Sequence, residues 1–350
     1  MNRETTQKEW LLGKNVDELT QIAMDFGLRR FVGAQLADWI YKKRVTSLDQ
    51  MTNISVKIRS EIGERYQVGG FTPVDCQESC DGTKKYLYPS IGDQSRGRSG
   101  DIEAVYIPDG DRATLCISSQ RGCKMGCRFC MTGTMGFSHH LTSGEIVGEI
   151  MRLPEFDRLT NVVLMGMGEP LDNWGNVYRA LECITSQWGL GWSPTRITLS
   201  SIGIRGTLAE FINQTRVHLA ISLHNPISHE RAQMMPIERA EPISEILGYI
   251  RSLDWSGQRR VSFEYIMFSG LNDTDLHLAA LVDLLSGLEC RVNLIRFHAI
   301  PDSPYRGSSQ GVIDSFNRRL NLAGVRTTTR GSRGEDIFAA CGMLATKDER

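Results

Sequence analysis

From about residue 112 onward the chain alternates two apolar patterns. Short, nearly continuous apolar runs occur at Ala113–Ser118, Asn161–Met165, Arg196–Ser200, Val217–Leu223, Arg260–Met267 and Arg291–Phe297, and they read as buried strands. Between them, apolar residues recur at three- and four-residue spacing, which predicts helices, among them Ser143–Arg152, Trp174–Gln187, Thr207–Asn213, Pro242–Ser252 and Asp275–Leu285. Six strand–helix units argue for parallel strands joined by right-handed crossovers. A closed eightfold barrel needs two more units. In such sheets ligands gather at the carboxyl ends of the strands.

The first 90 residues carry a different pattern. A helix opens at Val16-Asp17-Glu18-Leu19. A second spans Phe31 to Lys43, with Phe31, Ala34, Leu36, Trp39 and Ile40 spaced for a buried face. A third spans Ser55 to Tyr66, with Val56, Ile58, Ile62 and Tyr66 apolar. Lys84–Ile91 and Ile102–Pro108 alternate as strands do, and they flank a Gly/Ser/Arg-rich loop, Gly92 to Gly100, whose composition reads as mobile. The expected organisation is a small helical module over 1–90 and a larger α/β unit over 91–345.

With 350 residues, 41% of them hydrophobic, the chain can bury a large core. The net charge of −1 excludes a global electrostatic pull toward nucleic acid, so any such contact needs local basic patches. One candidate is the set Arg29, Arg30, Lys42, Lys43, Arg44, Lys57 and Arg59 on the N-terminal helices, which also reads as a solvated face. The N-terminus lacks an apolar signal core, and no run approaches the roughly 18 apolar residues that span a bilayer. Nine cysteines without these features point to a reduced, cytoplasmic protein whose cysteines bind metal or do chemistry.

Three of those cysteines stand together in Arg121-Gly122-Cys123-Lys124-Met125-Gly126-Cys127-Arg128-Phe129-Cys130. Thiolates suit iron–sulfur clusters and zinc. A four-iron cluster needs four ligands, so three cysteines leave one iron open to a small molecule. A structural zinc knuckle with its fourth ligand elsewhere is the other reading of this spacing. Further on, Gly166-Met167-Gly168-Glu169-Pro170 follows a predicted strand, where glycines let the backbone approach a ligand and a carboxylate can accept from an ammonium.

The CxxxCxxC run resembles that of the radical S-adenosylmethionine (SAM) enzymes. With Cys116-Ile117-Ser118-Ser119-Gln120-Arg121-Gly122-Cys123, the Gly166–Pro170 stretch and the terminal Ala340-Cys341-Gly342, the chain resembles the RlmN/Cfr adenosine methyltransferases from about Gly27 to Leu344. The resemblance implies a partial (β/α)6 radical SAM barrel with a small N-terminal helical accessory domain that grips RNA phosphates. It implies a [4Fe–4S] cluster on Cys123, Cys127 and Cys130, and SAM used twice per turnover. SAM would be held by Gly168 and Glu169, by Ser200, by Ser222-Leu223-His224, and by His298, which stands where the family often has Asn.

The resemblance also gives Cys341, Cys116 and Glu103 their roles. C2 of adenine is electron-poor and cannot attack the methyl of SAM, whereas a carbon radical can add there. In the implied route Cys341 takes a methyl from one SAM. A deoxyadenosyl radical from a second SAM removes hydrogen from that methyl, and the methylene radical adds to adenine. The ring then loses an electron and a proton, the latter to Glu103. Cys116 attacks the sulfur of Cys341 and frees the product, leaving a transient disulfide. Cys76, Cys80, Cys183 and Cys290 read as small core residues. The tail Arg326–Gly334 reads as basic and flexible, either a hold for RNA backbone or a hinge for Cys341. The implied activity is methylation of C2 of an adenosine in 23S rRNA and in tRNA by a monomer fed by an electron donor such as flavodoxin or ferredoxin, away from any membrane. The alternatives are methylation at adenine C8, which confers antibiotic resistance, and a non-catalytic zinc-stabilised RNA-binding protein.

Overall fold

The computed structural model describes residues 8–91, 101–253, 255, 260–301 and 303–345. The expected Gly/Ser/Arg-rich loop over 92–100 lies outside the described residues. Among the described residues ten strands form one sheet: β1 (Asp75–Glu78), β2 (Lys84–Tyr88), β3 (Ile102–Asp109), β4 (Arg112–Cys116), β5 (Asn161–Leu164), β6 (Ile197–Ser201), β7 (His218–Ser222), β8 (Val261–Met267), β9 (Arg291–Arg296) and β10 (Thr327–Arg330). Their order in space is their order in sequence. β1 to β4 pair antiparallel, and β4 to β10 pair parallel.

The six expected parallel strands are all present, and β10 adds a seventh. Val162, Leu164, Leu199, Leu219, Ile221, Phe263 and Leu294 are buried, as strands covered on both faces require. The crossover helices turn amphipathic sides to them. In the first, Ser143–Met151, a capping box in which Thr142 and Glu145 satisfy each other's backbone N–H groups fixes the start. Met165, Ser200, Ser222, Glu264 and Ile295, from the ends or interiors of five successive strands, line one cavity, so the sheet curls around it.

The seventh strand corrects the reading of the tail. Thr327–Thr329 pair with Val292–Leu294, and Arg330 pairs with Ile295. Beyond it, Gly334 N donates to Asp81, Asp336 accepts from Ser79 and Cys80, and Arg333 pairs with Asp109. Sequence pattern missed this strand because three threonines and an arginine carry little apolar signal.

The helical module comprises Val16–Asp25, Val32–Ala37 continuing as a π-turn over Asp38–Lys42, and Val56–Arg65. The second helix turns inward Val32, Gly33, Leu36, Ala37, Ile40 and Tyr41. Phe31, 56% exposed, and Ala34 point outward, contrary to the spacing argument. The wider π-turn shifts the register of the last turn and brings Tyr41 inward, where Gly13 N donates to its hydroxyl. Val56 is likewise exposed at the first turn of its helix.

The module is seated on the barrel. Gly13 has φ +89°, and a Cβ there would lie 2.2 Å from Gly144 N, so the two backbones meet directly. Arg152 donates to the carbonyls of Val45 and Gly69 at 3.1 and 2.9 Å. A division at residue 90 would cut the central sheet, because β1 and β2 belong to it. Cys76 and Cys80, expected in the core, are exposed on edge strand β1 and in the turn after it, whereas Cys183 is buried. Among the described residues no helix is long and apolar enough to cross a membrane.

Candidate active site

The cysteine run leaves the end of β4 and folds back over the barrel mouth. A two-stranded ribbon, Gln120–Gly122 with Phe137–His140, clamps it. Gly122 has φ +72°, and a Cβ there would fall 1.8 Å from the carbonyl oxygen of Gly136, so only glycine fits. Cys123 N donates to that same oxygen at 3.0 Å, and Arg128 N donates to Met234 O. Cys123, Cys127 and Cys130 thereby line one cavity with Gly168 and Glu169, among Met125, Phe129, Met235 and Ile266.

Among the described residues no group of three or more His, Cys, Asp or Glu side chains converges on a single-ion site. The three cysteines line one cavity, and the thiolate set they offer suits an iron–sulfur cluster. Burial pushes the Cys123 thiol up to about 12, and raises Cys127 and Cys130 as well. A cluster held by the three cysteines would supply the positive charge that favours their thiolate forms.

Glu169 begins the βα turn after β5 and is buried. It accepts from Ser201 Oγ at 2.6 Å, Ile202 N at 3.0 Å and Leu171 N at 3.0 Å. Burial nevertheless pushes its carboxyl up to about 7, against those hydrogen bonds. Sequence reasoning chose Ser200, which lines the cavity; its neighbour Ser201 is the residue that holds Glu169. Ser222 and His224 line the same cavity from the end of β7, with Leu223 buried between them. Burial, aided by Arg231, lowers His224 to about 3, so its ring is neutral. Its Nδ1 accepts from Ile266 N at 3.1 Å, which leaves Nε2 as the donor.

Beneath this strand end sits a residue that no sequence pattern singles out. Arg231 is wholly buried, donates to the carbonyls of Ser222 and Leu223 at 2.8 and 2.9 Å, and pairs with buried Glu238. It fixes the backbone that presents Ser222 and His224. Glu238→Ala strands that guanidinium without a counter-charge and is expected to destabilise the fold by about 3–5 kcal/mol. Urea unfolding checks this: a midpoint unchanged from the parent would remove Arg231 and Glu238 from the supporting structure.

His298 lies elsewhere than its sequence position implies. Its Nε2 meets Ser332 Oγ at 2.8 Å and its Nδ1 meets Glu335 Oε1 at 3.1 Å, so both ring nitrogens engage the C-terminal tail. It lines a second cavity, on the other side of Cys341 from the cysteine run.

Cys341 lines both cavities. The chain around it is pinned: Met131 N donates to Gly342 O at 2.8 Å, Thr132 Oγ1 to Leu344 O at 2.7 Å, and Ala345 N to Glu103 Oε2 at 3.0 Å. Cys341 is exposed, while Cys116 is buried at the end of β4. The two thiols lie within electrostatic reach, and burial first, then Cys341, pushes Cys116 well above the ordinary thiol value. Val105 faces Cys116 across the β3–β4 pair, so Glu103, two residues earlier, lies on the same side of the sheet. Burial raises the Glu103 carboxyl, partly offset by Lys85 at 3.2 Å. The second cavity opens at the amino ends of the strands, where Arg112, Arg260 and Arg291 are exposed.

Comparison with known proteins agrees with this architecture. Residues 117–282 match the model of the Radical SAM superfamily, and residues 10–68 match that of the ribosomal RNA large subunit methyltransferase N-terminal domain. The chain is 52% identical over 336 residues, 96% of each protein, to the "Probable dual-specificity RNA methyltransferase RlmN" of Bacteroides fragilis. It is 37% identical over 337 residues, 95% of each, to the dual-specificity RNA methyltransferase RlmN of Syntrophus aciditrophicus. A crystal structure of a radical SAM methyltransferase from Sphaerobacter thermophilus superposes with a TM-score of 0.87 at 34% identity, covering 96% of this chain and 99% of that one. With a cysteine-lined cavity at the barrel mouth, a helical module at the N-terminus and relatives matched nearly end to end, this chain belongs to the RlmN family of radical SAM methyltransferases.

Proposed function

We propose that the chain methylates C2 of an adenosine in 23S rRNA and in tRNA, with Cys341 as methyl carrier and Cys116 as the thiol that frees the product. The observation that carries this reading is the place of Cys341, at the junction of two cavities, one lined by the cluster cysteines and the other opening among arginines, with the buried Cys116 thiol within electrostatic reach of it. A cluster on Cys123, Cys127 and Cys130 and SAM beside Glu169 supply, when bound, methyl donation and one-electron radical chemistry.

The chain's own residues do the rest. Glu169 offers its carboxylate to the SAM ammonium, whose charge favours the ionised form that burial opposes. Neutral His224 donates from Nε2 into the same cavity. Cys341, reachable from both sides, accepts the methyl and carries it to the base. Glu103, with its carboxyl raised by burial and oriented by Lys85, takes the ring proton. Cys116 then attacks the sulfur of Cys341. A sulfur–sulfur bond forms and the carbon–sulfur bond breaks, its electron pair goes to the carbon, and that carbon takes a proton to become the product methyl. A small redox protein such as flavodoxin or ferredoxin feeds the electron. A reducing cytoplasm would keep Cys116 and Cys341 available as thiols between turnovers.

Reconstituted enzyme incubated with 23S rRNA fragments and tRNA tests the reading. The expected product is 2-methyladenosine, identified by mass analysis of nucleosides. A methyl group on C8 would overturn the regiochemistry, and an unmodified RNA with intact SAM cleavage would overturn the substrate.

The helical module contributes RNA affinity by gripping phosphates. Of its basic residues, Lys43, Arg44 and Lys57 are ion-paired and Arg59 bonds the carbonyl of Asp49. Arg29, Arg30 and Lys42 are exposed and make no ion pair among the described residues. Reversing these three charges should weaken RNA binding and lower the steepness of its salt dependence by roughly one unit per lost phosphate contact. An unaltered salt slope would assign the module another task. Because β1 and β2 belong to the sheet, charge reversal is a cleaner test than removal of residues 1–90.

A further inference from the structure

Inside the barrel, where the cavity that holds the cysteine run meets the second cavity, Glu264 and Arg330 form a pair that the chemistry above leaves unused. Glu264 sits mid-strand on β8, 3% exposed. Its Oε1 accepts from Asn293 Nδ2 at 2.8 Å, from Arg330 Nη2 at 3.2 Å and from Ser262 Oγ at 3.3 Å. Its Oε2 is buried with no hydrogen-bond partner among the described residues. Arg330 comes from β10, the strand that sequence pattern missed, and its other amino group approaches Met165 Sδ at 3.4 Å.

An unpartnered buried carboxylate oxygen is costly, so its retention calls for a donor that arrives with a ligand. Glu264 lines the first cavity, Arg330 the second, and Cys341 both. The guanidinium charge reaches both thiols and favours their thiolate forms. The pair therefore borders the space where the target base must lie if Cys341 and Cys116 are both to reach the new bond. A carboxylate beside a guanidinium offers an acceptor next to a donor. Adenine presents the complement, since its exocyclic amine donates and the adjoining ring nitrogen accepts.

We propose that Glu264 and Arg330 read the target base, Glu264 Oε2 accepting from the exocyclic amine of adenine and Arg330 donating to the neighbouring ring nitrogen. The inference rests on the RNA-methylating function proposed above. It gives the barrel a means of selecting adenine, and of fixing which carbon of the ring is turned to Cys341. Asn293 and Thr328 act as positioning residues: Thr328 Oγ1 donates to Asn293 Oδ1 at 2.8 Å, which aims the Asn293 amide at Glu264.

The test uses the full reconstituted enzyme and three RNA hairpins that carry adenosine, purine riboside or inosine at the target position. Purine riboside lacks the amine, and inosine reverses the donor–acceptor order. The parent enzyme should methylate the purine riboside hairpin at least about tenfold more slowly than the adenosine hairpin, because the carboxylate is left unpaired. Equal rates would overturn the proposal without recourse to any variant. In Glu264→Gln, Arg330 keeps the amide oxygen, so the amide nitrogen faces the base and can donate to the inosine oxygen. The adenosine-to-inosine rate ratio should fall at least about tenfold. A purely structural role would slow both hairpins alike and leave the ratio unchanged. SAM affinity of the variant, measured by calorimetry, should match the parent. Lost SAM affinity with an unchanged base preference would assign Glu264 to SAM and overturn the proposal. Absence of methylation of any hairpin by the parent would instead overturn the RNA-methylating reading, a separate failure.

Discussion

Cys116→Ala accumulates RNA covalently attached through Cys341, whereas Cys341→Ala yields neither product nor adduct. The difference follows from where the thiols sit. Cys341 is exposed at the junction of both cavities and is the group that can be loaded and then carried to the base. Cys116 is buried behind it on β4, within electrostatic reach but with its thiol pushed well above the ordinary value. Its removal leaves methyl loading and carbon–carbon bond formation intact and deletes only the thiolate that breaks the bond to Cys341. The adduct should appear on denaturing gels as a shifted band that collapses on nuclease treatment. Normal turnover by Cys116→Ala, or an adduct in Cys341→Ala, would break the assignment of the two roles. Alanine at 116 removes one sulfur from a strand end whose backbone pairing stays in place, so the variant keeps its fold.

Replacing any one of Cys123, Cys127 and Cys130 by alanine abolishes the iron–sulfur cluster and with it all SAM cleavage. Each cysteine is held by a separate local constraint: Cys123 by Gly136 O, Cys127 in the loop whose Arg128 N reaches Met234 O, and Cys130 at the start of the short helix Met131–Thr134. Cys341 lines the same cavity, but its role as methyl carrier keeps it out of the ligand set. Iron and acid-labile sulfide, measured after anaerobic reconstitution, should fall to background in all three variants. Parent-level content in any of them would remove that cysteine from the ligand set. Zinc without sulfide in the parent protein would favour a structural metal.

The parallel strands could be read from sequence because burial on both faces forces unbroken apolar runs such as Val162–Leu164 and Leu219–Ile221, which few other structures produce. The cysteine run was legible for a chemical reason, since thiolate spacing matters to the metal it would hold, whereas Glu169 and Cys341 took their roles from the family resemblance. What stayed hidden depends on tertiary pairing. Thr327–Arg330 looks like a polar linker until it is seen beside β9. Phe31 and Val56 satisfied a helical stripe that the real helices turn to solvent. Arg231, Lys85 and Glu264 carried no pattern of their own, since a lone charge in an apolar stretch becomes meaningful only once its buried partner is known. His298 shows the converse, a position matched in sequence whose ring nitrogens are bound by Ser332 and Glu335.

The sequential strand order has a consequence for how the molecule comes into being. A sheet whose neighbours in space are neighbours in the chain can be laid down one strand at a time as the polypeptide leaves the ribosome, with each new strand finding its partner already in place. The contacts that seat Cys341 obey a different clock. Ser79 meets Asp336 and Glu103 meets Ala345 across separations of 257 and 242 residues, so neither can form until the chain has been made through residues 336 and 345. The thiol that carries the methyl group is therefore installed after every strand of the sheet. A chain that stops short may hold every strand up to β9 and all three cysteines of the run, yet have nothing to which a methyl could be transferred.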